Sequence, residues 1–246
     1  KEQIAGEYQP GWMLLSYGKK VSVSSSLEGY PAENIVDEDA RTAWVAQSNR
    51  DMEWAQVDLQ RLSSIHAIQV NFDEYGANQK GAVSGVYQSY LIYASVNGED
   101  WSLVVDYGTK KTDTPHDYIE FEEPFKARYI KLQNKEYMVS ENFSVRDLRI
   151  FGKGQGSTPR AVNDFTVERD EADPCKARLC WEAVPDAQGY IVRYGIAGDK
   201  LYNNFQVMGE NTLEIGSLNK GVAYYFTIDA YNENGITRTS RIKVCR

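Results

Sequence analysis

The chain has 246 residues, 42% of them hydrophobic, which is enough to bury the core of one large domain or of two ordinary ones. Its formal net charge of −8 argues against nucleic acid and anionic lipid as partners, because both require a basic surface. The longest apolar run is only a few residues, so the sequence predicts no membrane span.

The N-terminal residues 1–10 form a lead-in without an initiator Met or a signal peptide. We therefore interpret the chain as a processed piece of a longer protein. The three cysteines all fall in the last third, and an odd number leaves at least one thiol unpaired. With only two histidines, a zinc site has almost no possible ligands.

The loop between Tyr30 and Trp44 is rich in oxygen ligands. Asp37, Asp39 and Thr42 lie close together in a polar segment whose turn residues disfavour regular structure. Carboxylate, hydroxyl and carbonyl oxygens can converge there, and hard oxygen ligands at that density suit calcium. An isolated acidic loop is more often a solvated turn, so that alternative stays open.

Short strands recur along the chain with a period of two residues. Ile68, Val70 and Phe72 share one face of a predicted strand. Asn97 and Gly98 are expected to supply the positive φ angles of a tight hairpin. No long segment has an apolar repeat of 3.6 residues, so the fold is predicted to be all-β, with a jelly-roll sandwich first.

A linker over residues 153–160 separates two domains, because its glycines, Ser, Thr and Pro disfavour both helix and sheet pairing. The domains are predicted at residues 11–152 and 161–246. Strand spacing in the second domain is typical of an immunoglobulin-like sandwich. There, Trp181 is expected in the core and Tyr224 at a corner, where its hydroxyl bonds to the backbone.

Several motifs in order carry a family resemblance. They are the segment from Val21 to Trp44, then EWAQVDL, SYLIYASVNGEDW, ARYIKLQN and VRDLRIFG. In this order they resemble the discoidin, or coagulation factor 5/8 type C, domain, and within it carbohydrate-binding module family 32. The second domain resembles a fibronectin type III domain. The resemblance implies a discoidin-type jelly-roll β-sandwich followed by a smaller immunoglobulin-like β-sandwich.

The resemblance also implies a structural calcium ion, held jointly by the loop after Tyr30 and the last strand of the first domain. Two departures from the family pattern concern this site: Glu38 stands where Gly is usual, and Asp147 where Glu is usual. The implied ligands are the carboxylates of Asp37 and Asp147, the hydroxyl of Thr42, and the carbonyls near Asn34, Asp39, Thr42 and Arg146.

Sugar recognition needs aromatic faces and hydrogen-bonding side chains on loops held by rigid strands. Three long loops fit that description, and the resemblance implies a sugar site at their end of the sandwich. The tyrosines there could instead cover the end of the barrel or face another domain. Trp44, Trp54 and Trp101 lie in fold motifs and are expected in the core. The predicted sugar contacts are Gln47, Arg50, Tyr75, Asn78, Tyr137 and Phe143.

No catalytic constellation is evident in the sequence, so the chain by itself is not expected to be an enzyme. The order of its parts resembles the C-terminal part of bacterial glycoside hydrolase family 43 proteins, which include β-xylosidases and α-L-arabinofuranosidases. This implies a secreted, periplasmic or outer-surface protein with an attached N-terminal catalytic domain, and binding to a polysaccharide such as xylan or arabinan. The alternative is a structural role in which both domains pack on and stabilise the catalytic domain. Adhesion or lipid binding is less favoured.

Overall fold

The computed structural model describes residues 11–77 and 85–246. Within these residues the protein is all-β apart from one short 3-10 helix, as predicted, and no helix is long and apolar enough to cross a membrane. The described chain divides into two compact units, one from Trp12 to Gln155 and one containing Gly156–Arg246. The lead-in, residues 1–10, lies outside the described residues.

In its described part, the first unit contains eight strands and the 3-10 helix, Ala32–Val36. Two of the strands are much longer than the rest, with 19 and 22 residues. The strands are β1 Met13–Leu14, β2 Lys20–Val23, β3 Trp44–Val45, β4 Trp54–Phe72, β5 Gln88–Ser95, β6 Ser102–Tyr107, β7 His116–Tyr137 and β8 Ser144–Lys153.

The long strands β4 and β7 pass through both sheets of a sandwich. In the first section that they share, β4 also pairs with β2, and β7 also pairs with β5. β5 pairs in turn with β6. In the second section that they share, β4 also pairs with β8, and β8 pairs in turn with β1 and β3. The change of sheet lies between Asp58 and Ser63, where the register shifts and Gln60 has a φ of 66°. A strand that bends in this way can serve two sheets.

The core of the first unit lies between these sheets. Ile68, Val70 and Phe72 are buried along one face of β4, as their alternation predicts. The hairpin at residues 96–100 differs in one detail, because only Gly98 has a positive φ. Asn97 instead accepts hydrogen bonds from the backbone amides of Glu99 and Asp100 at 3.0 and 2.9 Å, which closes the turn through its side chain.

The second unit has a three-stranded sheet, β13–β10–β9, and a five-stranded sheet, β12–β11–β14–β15 with β16 also on β14. Trp181 is buried, and the hydroxyl of Tyr224 accepts a hydrogen bond from the backbone amide of Asn219 at 3.2 Å, so both predicted roles are confirmed. All three cysteines are free thiols. The strands are β9 Phe165–Arg169, β10 Ala177–Trp181, β11 Gly189–Gly195, β12 Asn203–Met208, β13 Thr212–Ile215, β14 Tyr224–Asn232, β15 Gly235–Thr237 and β16 Lys243–Cys245.

Candidate functional site

A polar cleft of about 520 Å³ lies in the first unit between the end of β2 and the loop before β4. Ser24 and Ser25 form one wall, and the segment Gln47–Glu53 forms the other. This cleft contains two of the predicted sugar-contact residues, Gln47 and Arg50, and both are exposed. The structure therefore brings these two together on one surface.

Glu53 organises the cleft through serine hydroxyls. Ser24 and Ser25 donate to one of its carboxylate oxygens, the latter at 2.8 Å, and Ser48 donates to the other at 2.7 Å. Burial opposes ionisation of Glu53, but these hydrogen bonds and the charge of Arg50 outweigh burial and lower its pKa. The cleft therefore holds a carboxylate anion whose hydrogen bonds fix the surrounding hydroxyls.

The loop that carries Gln47 and Arg50 is anchored by buried amides. Asn134 is fully buried, and its side chain donates to the carbonyls of Asn49 and Arg50 at 2.8 and 2.9 Å. Asn49 in turn donates to the carbonyl of Ser140 at 2.8 Å. These bonds hold an irregular loop against β7 and the loop after it. Sequence reasoning missed Asn134, although an Asn in line with buried Ile and Leu positions is a usable signal.

Arg50 is the cation of the cleft. Among the described residues no carboxylate lies within salt-bridge distance of its guanidinium, and its charge acts on Glu53 from further away. Gln47 is anchored more loosely, because its side-chain amide donates to the carbonyl of Ser26 at 3.3 Å. Both side chains can therefore offer hydrogen-bond donors to a ligand in the cleft.

Tyr75 lies on the neighbouring loop and packs edge-on against Tyr30, with ring centroids 4.9 Å apart. Both rings are half-buried. The carbonyl of Tyr30 accepts a hydrogen bond from the Ser26 hydroxyl at 2.8 Å, which links this aromatic pair to the segment beside Gln47. The predicted contact Asn78 lies outside the described residues.

The prediction that Tyr137 and Phe143 contact a sugar is wrong, because their exposed fractions are 2% and 0%. Phe143 packs edge-on against Trp44 and Tyr137, and the Tyr137 hydroxyl bonds to the carbonyl of Asp73. The register of β7 with β5 shifts between Asn134 and Glu136. Such a bulge exchanges the inward and outward faces, so Tyr137 turns into the core.

The three tryptophans of the first unit's motifs differ in their surroundings. Trp44 is fully buried, as expected. Trp54 and Trp101 are half-buried, which corrects the expectation that they belong to the core. Trp54 pairs with Gln133 on the outward side of the sheet, and Trp101 comes just before β6.

The loop after the 3-10 helix gathers oxygen atoms as the calcium prediction requires. The Thr42 hydroxyl lies 2.8 Å from a carboxylate oxygen of Asp37 and 2.9 Å from the carbonyl of Asp39. One hydroxyl proton cannot fully satisfy both acceptors, so this oxygen-rich set suits a hard cation. The side chain of Asp39 turns away to Arg41, whose hydrogen bonds lower the pKa of Asp39 to about 2. Only the carbonyl of Asp39 is therefore directed at the site.

The other predicted calcium ligands occupy neighbouring positions. The Asn34 side chain donates to the carbonyl of Ala43 at 2.8 Å, which fastens the 3-10 helix to the residue before β3. Arg146 is the extra residue of a bulge between β8 and β4, so its carbonyl lies outside the regular ladder. Asp147 is nearly buried, and one carboxylate oxygen accepts from Asn71 at 2.8 Å.

Glu38 ties the loop after the 3-10 helix to β8. It has a φ of 60°, the left-handed conformation that favours glycine, at the position where the discoidin pattern has Gly. Its carboxylate makes two hydrogen bonds with Arg149, at 2.9 and 2.7 Å. In the described part of the chain, no three His, Cys, Asp or Glu side chains converge, so a calcium ion here would depend on carbonyl oxygens as well.

Comparison with known proteins gives a family match that covers just over half of the chain. The sequence profile of the F5/8 type C domain matches residues 20–147. Lactadherin of Rattus norvegicus is 33% identical over 110 residues, which are 42% of this chain and 25% of that protein. Lactadherin of Mus musculus is 32% identical over 110 residues, 42% of this chain and 23% of that protein. The chain thus spans about a quarter of the length of these curated relatives.

Solved structures similar to the chain include chitosan-binding module 1 of a chitosanase/glucanase from Paenibacillus sp. IK-5. It is 20% identical, with a TM-score of 0.48, and the match covers 57% of this chain and 99% of the module. The family 32 CBM from C. perfringens NanJ in complex with galactose is 18% identical, with a TM-score of 0.46, covering 57% of this chain and 98% of that one. Nothing about the ligand of this chain follows from these values.

Proposed function

Because the chain belongs to the F5/8 type C domain family, whose domains are typically non-catalytic, we propose that its first unit is a carbohydrate-binding module. The ligand would bind in the cleft formed by Ser24, Ser25 and the segment Gln47–Glu53. The observation that carries this proposal is the ordered set of polar groups around Glu53. Neutral sugars expose hydroxyl groups in fixed directions, and they are recognised by donors and acceptors that are fixed before binding.

The cleft offers both hydrogen-bond donors and hydrogen-bond acceptors to a sugar. The guanidinium of Arg50 and the amide of Gln47 can donate to sugar oxygens, whereas the remaining lone pairs of Glu53 and the serine hydroxyls can accept from sugar hydroxyls. The half-buried pair of Tyr30 and Tyr75, which a hydrogen bond joins to Ser26, is a candidate for stacking against a pyranose face. The Arg50 guanidinium offsets the charge of the Glu53 carboxylate, and Lys135 pairs with Asp51 at 2.6 Å, so the cleft suits a neutral sugar.

Calorimetry of the purified chain tests the proposal with xylan, arabinan and galactan oligosaccharides, and with galactose, fucose and chitotriose. Arg50→Ala and Gln47→Ala should each weaken binding of the responding sugar by about tenfold, the usual effect of losing one well-placed polar contact. Tyr75→Ala tests the stacking role. Arg61→Ala, a change of the same charge at an exposed site, is the matched control. If no sugar binds the folded chain, or if the Arg50 and Gln47 variants bind as tightly as wild type, the cleft proposal fails.

A structural calcium ion at the loop of Asp37 is also proposed. The residues fit, since the carboxylate of Asp37, the Thr42 hydroxyl and the Asp39 carbonyl already face one another. The ion would neutralise these oxygens and fasten the loop to β8, remote from the cleft. Chelation should then lower the melting temperature, because a ligand of the native state is removed, and added calcium should restore it. Asp37→Ala should melt at the same temperature with and without chelator. An identical melting curve of the wild type before and after chelation would disprove the site.

For the larger protein, we propose a secreted bacterial glycoside hydrolase of family 43 type, acting on xylan or arabinan, with the second unit a fibronectin type III domain. The buried Trp181, the Tyr224 corner and the sheets of three and five strands support the last assignment. Mass spectrometry of the intact native protein gives its length and N-terminus, and so tests whether this chain is part of a larger glycoside hydrolase. A chain that carries no catalytic domain would refute it.

A second candidate function is docking to a neighbouring catalytic domain. Met52 and Met138 favour it, because they are 61% and 51% exposed on two loops that the Asn49 amide joins. Exposed methionines of this kind are typical of protein contacts. Replacing Met138, which lies outside the cleft, by Gln should leave sugar binding unchanged and should lower the stability of the catalytic domain in the intact protein only if these loops dock on it.

A further inference from the structure

The outer face of the sheet β2–β4–β7–β5–β6 carries large aromatic and amide side chains. In the pairing of β4 with β7, Trp54 lies opposite Gln133 and Gln56 lies opposite Lys131. Tyr93 follows on β5, also opposite Lys131. All five residues are half-buried, so their side chains are accessible from one side. Trp101, which precedes β6 and is also half-buried, packs against Lys131. We define the tryptophan face, without Tyr93, as the set Trp54, Gln56, Trp101, Lys131 and Gln133.

Lys131 lies at the centre of the tryptophan face. Its ammonium is 3.8 Å from the centroid of the Trp101 ring and 5.5 Å from that of Trp54. Among the described residues no carboxylate lies within salt-bridge distance of it, and desolvation by burial lowers its pKa. The ammonium is therefore held by two indole rings and not by a counter-ion. Such a cation is poised to accept an anionic group from a ligand.

We propose that the tryptophan face is a second glycan-binding surface, which meets the cleft where the Gln133 amide donates to the Met52 sulfur, and that it takes an extended β-linked polysaccharide bearing carboxylate groups. The indole rings stack against the C–H faces of pyranoses, and the amides of Gln56 and Gln133 bond to their hydroxyls. A uronic acid carboxylate supplies the counter-ion that Lys131 lacks.

The positive charge of Lys131 favours a carboxylate-bearing polysaccharide over two other occupants, a neutral polysaccharide and a second copy of the chain. A neutral polysaccharide would cover Lys131 and leave its charge uncompensated, which is costly for a desolvated ammonium. A second copy of the chain, related by a twofold axis through this face, would bring two Lys131 ammoniums together. The overall charge of −8 does not prevent binding, since charges beyond about 8 Å are largely screened at physiological salt.

The test compares two probes that share one backbone. Calorimetry of the full chain uses oligosaccharides of β-1,4-linked glucuronic acid and cello-oligosaccharides of equal length, which differ only by the carboxylate at C6. The uronate should bind about three- to tenfold more tightly at low salt, the range of one partly exposed ion pair. Lys131→Gln should abolish that preference. Lys126→Gln, which removes an exposed lysine elsewhere on β7, should keep it.

Trp54→Ala and Trp101→Ala should each weaken uronate binding by about tenfold or more, as loss of an aromatic anchor does. Circular dichroism and melting curves verify that each variant is folded. Equal affinity for both probes, absence of binding to either, or a uronate preference that survives in Lys131→Gln would overturn the proposal. So would a wild-type dimer, seen by sedimentation, that Trp101→Ala converts to monomers.

Discussion

Phe143 is fully buried, and its replacement by alanine should destabilise the first unit strongly. The ring lies 5.8 Å from that of Trp44, 6.1 Å from that of Phe72 and 5.3 Å from that of Tyr137, measured between centroids. Truncation of a buried Phe costs about 3–5 kcal/mol through lost burial and the remaining cavity. The upper part of that range applies here, because the neighbours are rings fixed by strands and cannot collapse into the space. A domain is stable by only about 5–15 kcal/mol, so the loss is a large fraction.

Urea unfolding of the full chain, followed by tryptophan fluorescence and circular dichroism, measures this effect. The second unit, with its own Trp181, should unfold at an unchanged midpoint and serves as an internal reference. Tyr75→Ala is the matched control, because its ring is only half-buried, and it should cost about 1 kcal/mol or less. If Phe143 were instead an exposed sugar platform, Phe143→Ala would abolish sugar binding at unchanged stability. A shift in unfolding free energy below about 1 kcal/mol would refute the structural reasoning.

Three further outcomes are expected from urea or thermal unfolding. Glu38→Gly should be about 1 kcal/mol more stable than Glu38→Ala, because both lose the Arg149 ion pair but only glycine relieves the left-handed backbone; equal stabilities would contradict this. The lowered pKa of Glu53 means that its ionised form stabilises the fold above the ordinary glutamate pKa, and that this contribution is lost as pH falls through the lowered value. The wild type should therefore lose stability more steeply than Glu53→Gln as pH falls below the ordinary glutamate pKa, and parallel pH profiles would count against the serine network. Tyr224→Phe should cost about 1 kcal/mol in the second unit only, by removing the acceptor for the Asn219 amide; an effect on the first unit would contradict the assignment.

The alternation of side chains was the most reliable guide from sequence to fold. It identified the buried face of β4, because the period of two residues holds wherever a strand stays regular. Tyr137 was assigned to a loop instead of a strand, whereas β7 runs to Tyr137 and a single extra residue at its bulge turns the ring inward. The sequence of residues 135–137, Lys-Glu-Tyr, contains no signal that predicts this bulge.

The candidate site was only partly predictable. Gln47 and Arg50 could be named because a long polar loop between strands is a common place for binding residues. The Glu53 network could not, because its serines come from two segments that are far apart in sequence and are brought together by the pairing of β2 with β4 and by hydrogen bonds such as that from the Gln47 backbone amide to Ser25. Trp54 and Trp101 were assigned to the core from their motifs alone. Only the register of the sheet shows that Trp54 points outward.

The shared use of β4 and β7 by both sheets has a consequence for how the first unit folds. Neither sheet can form without these two strands, so neither can unfold alone, and amide hydrogen exchange should report one common opening free energy for both sections of β4. The pairs that join the two strands are far apart in sequence, as in Trp54 with Gln133. Closing such loops early costs chain entropy, so this unit should fold over milliseconds to seconds.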